Sequence, residues 1–233
     1  MELRIAVAKI NNAFLAKSGD TVEIIERPNG GLSAVLADGQ ANGLSNKGIS
    51  TMTSHRVIGN ISEGVRDGSA IRAVSSRIFA EHNGHVQASL TVISADMQSN
   101  TILVSRNSPV PVFVASEGQV DCLTTECEQI GLQPDSTPAI VELPIQPGLV
   151  VVAFSDGIYS AGKQSQQTFE ISTTLESFLD EQEPTAQEIA DFLLNQAVRM
   201  DNDRPQDDMS VVVMTVSYQS PDQIRRMNVT MPF

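Results

Sequence analysis

The chain has few of the residues that form zinc sites and aromatic cores. Its 233 residues include no tryptophan, two cysteines and three histidines, and aromatic residues make up 4% of the sequence. Cys122 and Cys127 are five positions apart, and no histidine spacing completes a tetrahedral zinc site with them. We therefore interpret both cysteines as free thiols in a reducing cell, and we expect a mostly aliphatic core.

Positive charge is also scarce. The chain has 15 lysines and arginines against 28 aspartates and glutamates, which gives a formal net charge of −13. Proteins that bind nucleic acid through a broad surface neutralise its phosphates with lysine and arginine. The composition therefore predicts no nucleic-acid partner, and bound metal ions would offset part of the negative charge.

Long apolar runs are missing as well. No run approaches the ~20 residues that a membrane-spanning helix needs. The first residues (MELRI) lack the basic stretch and the long apolar segment of a signal peptide. We expect no membrane association and a cytoplasmic location.

What is present is typical of a globular protein with a substantial core. Hydrophobic residues make up 41% and charged residues 18% of the chain. No repeat or linker divides it, so residues 1–233 are predicted to form a single domain. The element order lacks long βαβ alternation, which favours an α+β fold with antiparallel sheets covered by helices.

The predicted elements follow from apolar periodicity and turn residues. A hairpin turn is expected at residues 28–31 (PNGG), and a capping box at residues 184–188 (PTAQE) opens a helix to about residue 200. Other helices are predicted at 44–63, 67–82 and 173–182. Strands are predicted at 3–10, 21–28, 32–38, 86–97, 100–106, 111–116, 119–124, 139–144, 149–155 and 209–217, with a further tail strand at 223–229.

Aspartates stand where four β-branched apolar runs begin or end. Asp20 opens one run and Asp38 closes the next, while Asp156 closes a third and Asp207, followed by a second aspartate, opens a fourth. A single such aspartate is more often a turn residue. Four carboxylates delivered to one sheet edge would repel each other unless a cation lies between them, and oxygen ligands select Mg²⁺ or Mn²⁺. The pattern therefore predicts a divalent metal site.

The same segments resemble a known family. Residues 154–158 (FSDGI) and 207–213 (DDMSVVV) are similar to the late signatures of the metal-dependent, type 2C (PPM) protein serine/threonine phosphatases. Residues 18–20 (SGD) and 38–43 (DGQANG) resemble the early signature of its bacterial branch, which includes the sporulation stage II E and sigma-factor regulatory phosphatases. A proline-rich turn at residues 106–111 (RNSPVP) fits as well. The resemblance runs from about residue 3 to residue 217.

The resemblance implies a four-layer αββα sandwich, in which two antiparallel β-sheets are flanked by helix pairs and metals lie at one sheet edge. It implies that Asp38 bridges two Mn²⁺ or Mg²⁺ ions. Asp20 and the Gly39 carbonyl would complete one side, and Asp156 and Asp207 would hold the other ion.

The activity that the resemblance implies is hydrolysis of phosphoserine or phosphothreonine on a protein substrate. The four aspartates would act through a water activated between the two cations, which also neutralise the phosphoryl oxygens. No covalent phosphoenzyme is needed. In the bacterial branch the partner is often a phosphorylated antagonist of an anti-sigma factor.

Two departures from the family pattern leave alternatives open. Ala41, Asn42 and Gly43 stand where family members often carry Gly-His-Gly, and Lys17 lies near the position of a phosphate-binding arginine found in the animal and plant enzymes. One alternative is a catalytically weak or inactive member that serves as a regulatory binding module. Another is a metal-dependent hydrolase of small phosphoesters.

Overall fold

The computed structural model describes residues 1–15, 17–181, 183–218 and 224–231. Within these residues the chain forms eleven β-strands and five α-helices. The strands are β1 Glu2–Ile10, β2 Asp20–Glu26, β3 Gly31–Ala41, β4 Leu44–Ser45, β5 Val86–Asp96, β6 Thr101–Asn107, β7 Val112–Ser116, β8 Gln119–Leu123, β9 Ala139–Pro144, β10 Val150–Phe154 and β11 Met209–Ser217. The helices are α1 Lys47–Ser62, α2 Asp67–His82, α3 Asp156–Tyr159, α4 Ile171–Glu181 and α5 Ala186–Met200. No described helix is both long and apolar enough to cross a membrane.

The strands form two sheets in which neighbouring strands run antiparallel. The first sheet has the strand order β1-β11-β10-β7-β8. The second sheet has the order β2-β3-β5-β6-β9, and the short strand β4 pairs with β3. This topology confirms the prediction of antiparallel sheets.

Three apolar clusters hold four layers together. One lies between the sheets, a second lies between the second sheet and helices α1 and α2, and a third lies between the first sheet and helices α4 and α5. The layer order is therefore helix pair, sheet, sheet, helix pair, which confirms the predicted αββα sandwich.

Alternate residues of β3 pack on opposite faces of the second sheet. Val35 and Ala37 are packed against α1 and α2, whereas Ala34 and Leu36 belong to the cluster between the sheets. Successive side chains of a strand point to opposite faces. Asp38 therefore continues the inner face, at the point where the apolar core between the sheets ends.

Helix α1 begins later than predicted. Residues 44–46 were expected to be helical, but Leu44 and Ser45 pair with the end of β3 instead. Asn42 and Gly43 have φ values of 53° and 75° and form the two-residue loop of this hairpin, a role for which Asn-Gly is strongly favoured. The helix then starts after Asn46, whose side chain accepts a hydrogen bond from the Ile49 amide.

Most other predicted elements are confirmed, with differences at their ends. The capping box forms between Thr185 and Glu188. The tail strand is wrong for residues 224–229, which have no regular structure, and Gln223 lies outside the described residues, as does the predicted helix end at Gln182. The four-residue helix α3 was not predicted, because a single turn has too few residues to show a helical period.

Candidate functional site

Asp20 and Asp38 are brought together by the pairing of β2 with β3. They are direct partners in the antiparallel register, so their side chains lie on the same face, toward the first sheet. Ser210 on β11 donates a hydrogen bond of 2.6 Å to the Asp20 carboxylate across the gap between the sheets. The prediction that Asp38 ends its strand is wrong, because β3 continues to Ala41 and pairs there with β4 and β5.

Asp156 and Asp207 come from the first sheet. Asp156 is the first residue of α3, directly after β10, and Asp207 precedes β11, the neighbour of β10. A β-carbon added at Gly157 would lie 2.2 Å from the carbonyl oxygen of Asp208. Glycine is therefore required there for α3 to pack against the start of β11, and this packing brings Asp156 beside Asp207.

The electrostatics show that the four carboxyls share one region. Burial raises the pKa of Asp38 to about 8, with further contributions from the charges of Asp156, Asp20 and Asp207. Burial likewise raises the pKa of Asp156, and the nearby charge of Asp207 adds to that effect. Both sheets therefore contribute carboxyls that disfavour one another's ionised form.

Burial is also the largest influence on the pKa of the other two aspartates. It raises the pKa of Asp20 to about 7, although hydrogen bonds from Ser210 and Ser155 act in the opposite direction. It raises the pKa of Asp207, where a hydrogen bond from the Asp208 amide acts in the opposite direction and the charge of Asp208 adds to the rise.

A small cavity of about 10 Å³ lies between the two sheets at this point. It is lined by Asp38, Asp156 and four hydroxyl-bearing residues, together with three apolar side chains. The hydroxyl residues are Ser89, Thr91, Ser108 and Ser155. A cavity of this size holds about one water-sized sphere, and the polar side chains that line it carry only oxygen as a polar atom.

Two lysines, neither of them predicted, supply positive charge at the Asp20 end. Lys9 and Lys47 each donate a hydrogen bond of 2.5 Å to the backbone carbonyl of Asp20, and Lys47 also bonds the Thr21 hydroxyl at 2.8 Å. Burial lowers the pKa of both ammonium groups. Lys17, which the sequence suggested, is exposed on the loop before β2. No local pattern marks Lys9 or Lys47, because only the fold brings residues 9, 20 and 47 together.

Asp208 has a different environment from its neighbour Asp207. Its carboxylate is buried and accepts backbone hydrogen bonds from Asn12 at 2.9 Å and from Gly19 at 2.6 Å. It therefore fixes the loop that leads into β2, while the half-buried Asp207 faces the carboxyl cluster.

The close approach of α1 explains why residue 39 is a glycine. A β-carbon there would lie 2.3 Å from the Ser50 amide nitrogen and 2.6 Å from the Asn46 carbonyl oxygen. The Gly39 carbonyl already accepts a hydrogen bond of 2.6 Å from the Asn46 amide. Its role as a metal ligand stays a prediction.

The donor set fits a hard divalent cation in its chemistry. The four carboxyls offer only oxygen, and Asp38, Asp156 and Asp207 form no salt bridge with a basic side chain of the described residues. Within the same residues, no three acidic, histidine or cysteine side chains are arranged to hold one ion as they stand. A bound ion would therefore draw the carboxylates closer together.

Comparisons with known proteins identify the family of this chain and solved structures with the same fold. The family model for stage II sporulation protein E (SpoIIE) matches residues 28–217. The chain belongs to the SpoIIE family. This confirms the resemblance found in the sequence, and the matched range includes Asp38, Asp156 and Asp207.

The SpoIIE relatives are longer than this chain. Stage II sporulation protein E of Bacillus subtilis is 23% identical over 204 residues, which cover 88% of the chain and 24% of that protein. The chain therefore spans about a quarter of this relative's length.

Solved structures of phosphatases share the fold of this SpoIIE-family chain. The PP2C phosphatase domain of B. subtilis SpoIIE, solved with a fragment of its regulatory domain, matches with a TM-score of 0.77 and 21% identity, over 94% of this chain and 64% of that one. The serine/threonine phosphatase of S. agalactiae matches with a TM-score of 0.75 and 14% identity, over 93% of this chain and 100% of that one. At these identities the likeness concerns the fold.

Proposed function

We propose that the chain is a metal-dependent phosphatase that hydrolyses phosphoserine and phosphothreonine esters on a protein. The observation that carries the proposal is the carboxyl cluster, to which both sheets of a type 2C phosphatase fold contribute. None of its four members forms a salt bridge with a described basic residue, and burial together with like charge raises the pKa of Asp38 to about 8. Such a cluster is unfavourable when ionised and is stabilised by a divalent cation.

The proposed ligands follow from this arrangement. Asp38, Asp156 and Asp207 would hold one cation, and Asp20 with the Gly39 carbonyl would complete a second position next to Asp38. The proposed ions are two Mn²⁺ or Mg²⁺, because all donors are oxygen atoms. When bound, such ions supply an activated water and neutralise negative charge on the phosphoryl group.

The chain's own side chains would attract the substrate and hold the proposed ligands in position. Lys9 and Lys47 place two ammonium groups beside Asp20 in an otherwise acidic molecule, so they provide a local attraction for a phosphate-bearing substrate. Ser210 holds the Asp20 carboxylate through its 2.6 Å hydrogen bond. The attacking group would be water, without a covalent phosphoenzyme, as the family resemblance implies.

The test is hydrolysis of p-nitrophenyl phosphate and of a phosphoserine peptide with Mn²⁺, with Mg²⁺ and with EDTA. We expect turnover with metal and none in EDTA, and a loss of at least about 100-fold in Asp156→Asn, because that change removes a charged ligand. Asp121→Asn is the matched control, since Asp121 is exposed on β8. A higher specificity constant for the peptide than for p-nitrophenyl phosphate supports a protein substrate, and the reverse supports a hydrolase of small phosphoesters.

A second candidate is a regulatory binding module with the same fold. Its support is that the Gly39 carbonyl already has a hydrogen-bond partner and that the described carboxylates are not arranged to hold an ion as they stand. Absence of turnover with every metal, in protein shown to be folded, would contradict the enzyme proposal and favour this module.

The proposed partner is a phosphorylated antagonist of an anti-sigma factor in the cytoplasm, as the family resemblance implies. Metal-dependent release of phosphate from such a phosphoprotein, absent with Asp156→Asn, is the supporting result.

A further inference from the structure

The carboxyl cluster continues outward along a polar stripe on the second sheet. On the inner face of β3, Asp38 is followed two residues later by Gln40. Their direct partners on β5 are Ser89 and Gln87. Paired residues of antiparallel strands lie on the same face, so a pair of glutamines stands at the outer end of the stripe that begins at Asp38.

Hydrogen bonds connect this glutamine pair to the site. The Gln87 amide nitrogen donates to the Gln40 side-chain oxygen at 2.9 Å, and the Gln40 amide nitrogen donates to the Asp38 carboxylate at 3.5 Å. A glutamine side chain has two donor hydrogens and an oxygen with two acceptor positions. The Gln87 oxygen accepts no hydrogen bond from the described residues, so the pair retains capacity for an external partner.

A groove of about 360 Å³ opens directly beside the pair, between the β3–β4 loop and the segment that precedes β5. It is lined by Gln40, Asn42, Gly43, Gly84, His85, Val86 and Gln87. Among the described residues, the lining contains no aspartate, glutamate, lysine or arginine, although the chain carries a net charge of −13. Its size lies within the range of ~300–1,000 Å³ that is typical of ligand sites.

We propose that this groove binds the main chain of the substrate next to the phosphorylated residue. The inference rests on the proposed phosphatase function. Uncharged amides match the N–H and C=O groups of an extended peptide, which repeat along the chain whatever its side chains. The groove would therefore select for a polypeptide substrate over a small phosphoester, without requiring charged residues around the phosphorylation site.

The experiment compares specificity constants for a phosphoserine peptide and for p-nitrophenyl phosphate. Gln87→Leu removes one of the three side-chain amides of the groove at similar size, and Asn42→Gly removes a second one at a φ of 53° that glycine accepts. We expect the ratio of peptide to p-nitrophenyl phosphate to fall about 3- to 10-fold in each, the value of one hydrogen bond. Gln119→Leu is the matched control, because Gln119 is exposed on β8, at the edge of the first sheet.

A second experiment tests whether the groove binds the main chain of the peptide. Peptides carrying N-methyl groups on the amides beside the phosphoserine lose backbone donors and keep their side chains. The unchanged protein should discriminate against them, and Gln87→Leu should discriminate less. If the unchanged protein hydrolyses neither substrate, the phosphatase proposal fails. If it hydrolyses both and the variants leave the substrate ratio and the N-methyl effect unchanged, the groove proposal alone is wrong.

Discussion

Asp207 and Asp208 show how two identical adjacent residues take different roles. Asp208 accepts hydrogen bonds from the backbone amides of Asn12 and Gly19, whereas Asp207 lies among carboxyls that raise one another's pKa. We predict that Asp208→Ala lowers the free energy of unfolding by roughly 2–4 kcal/mol, since two backbone amides, one buried and one half-buried, lose their acceptor. Asp207→Ala should lower it much less or leave it unchanged in the metal-free protein, because the removal of a repelling charge offsets the loss of one hydrogen bond from the Asp208 amide.

Urea unfolding of both variants in EDTA measures the difference, and titration with Mn²⁺ completes the test. Asp207→Ala should weaken Mn²⁺ binding, while Asp208→Ala should retain it where the protein is folded. Equal losses of stability in the two variants would contradict this division of roles.

The residues of the site could be predicted from sequence only where they follow a strand pattern. The carboxylates were found because each adjoins an apolar run, and the structure brings these residues together. Lys9, Lys47 and Gln87 were not found, because their positions near the site depend on contacts between residues far apart in the chain. Asn42 was noted as a departure from the family pattern, and its φ of 53° identifies it as a turn residue.

At the scale of elements, the contact between α3 and the start of β11 positions Asp156. We predict that Gly157→Ala lowers the free energy of unfolding by about 1–3 kcal/mol, because the added carbon would overlap the Asp208 carbonyl. Gly59→Ala on α1 is the matched control. A β-carbon there would meet no atom within 4 Å, so alanine should stabilise the helix by about 0.5–1 kcal/mol.

Urea unfolding of both glycine variants provides the measurement. Gly157→Ala should also weaken Mn²⁺ binding, because Asp156 and Asp207 would be moved apart. A neutral effect of Gly157→Ala on both quantities would contradict the proposed packing role.

Element type was predictable from apolar periodicity, and element ends were less so. The strand pattern predicted the bounds of β11 correctly, at Met209–Ser217. The start of α1 was wrong because small residues such as Ser45 allow helix and strand alike, and pairing with β3 decides between them. Apolar residues in the tail suggested a strand, yet residues 224–231 have no regular secondary structure.

At the scale of the whole molecule, the raised pKa values predict how stability depends on pH. The carboxyls of Asp20 and Asp38 have an ordinary pKa of 3.8, raised in the fold to about 7 and about 8. At pH values between the ordinary and the raised pKa, these two carboxyls hold more protons in the native state than in the unfolded state. Their stabilising contribution is therefore fully present below about pH 4 and is lost as the pH rises through about 7 to 8.

We expect the metal-free protein to unfold at a lower urea concentration at about pH 8.5 than at about pH 6. Asp38→Asn should reduce this difference, and Asp121→Asn should leave it unchanged. Added Mn²⁺ should raise the midpoint most at the higher pH, because it binds the ionised carboxylates of the native state. A midpoint in EDTA that is constant or rises over this interval would contradict the prediction.

The pairing register of β2 with β3 limits which insertions the turn between these two strands can accept. The turn between them, where the Gly30 amide bonds the Arg27 carbonyl, lies at the opposite end of β2 from Asp20. A shift of the pairing by one residue would exchange the faces of the whole strand. Thr21, which now contacts α1, would then point toward the first sheet, and Asp20 would point toward the helices. A one-residue insertion in this distant turn that shifts the register would thus remove a carboxylate from the site without altering any of its residues.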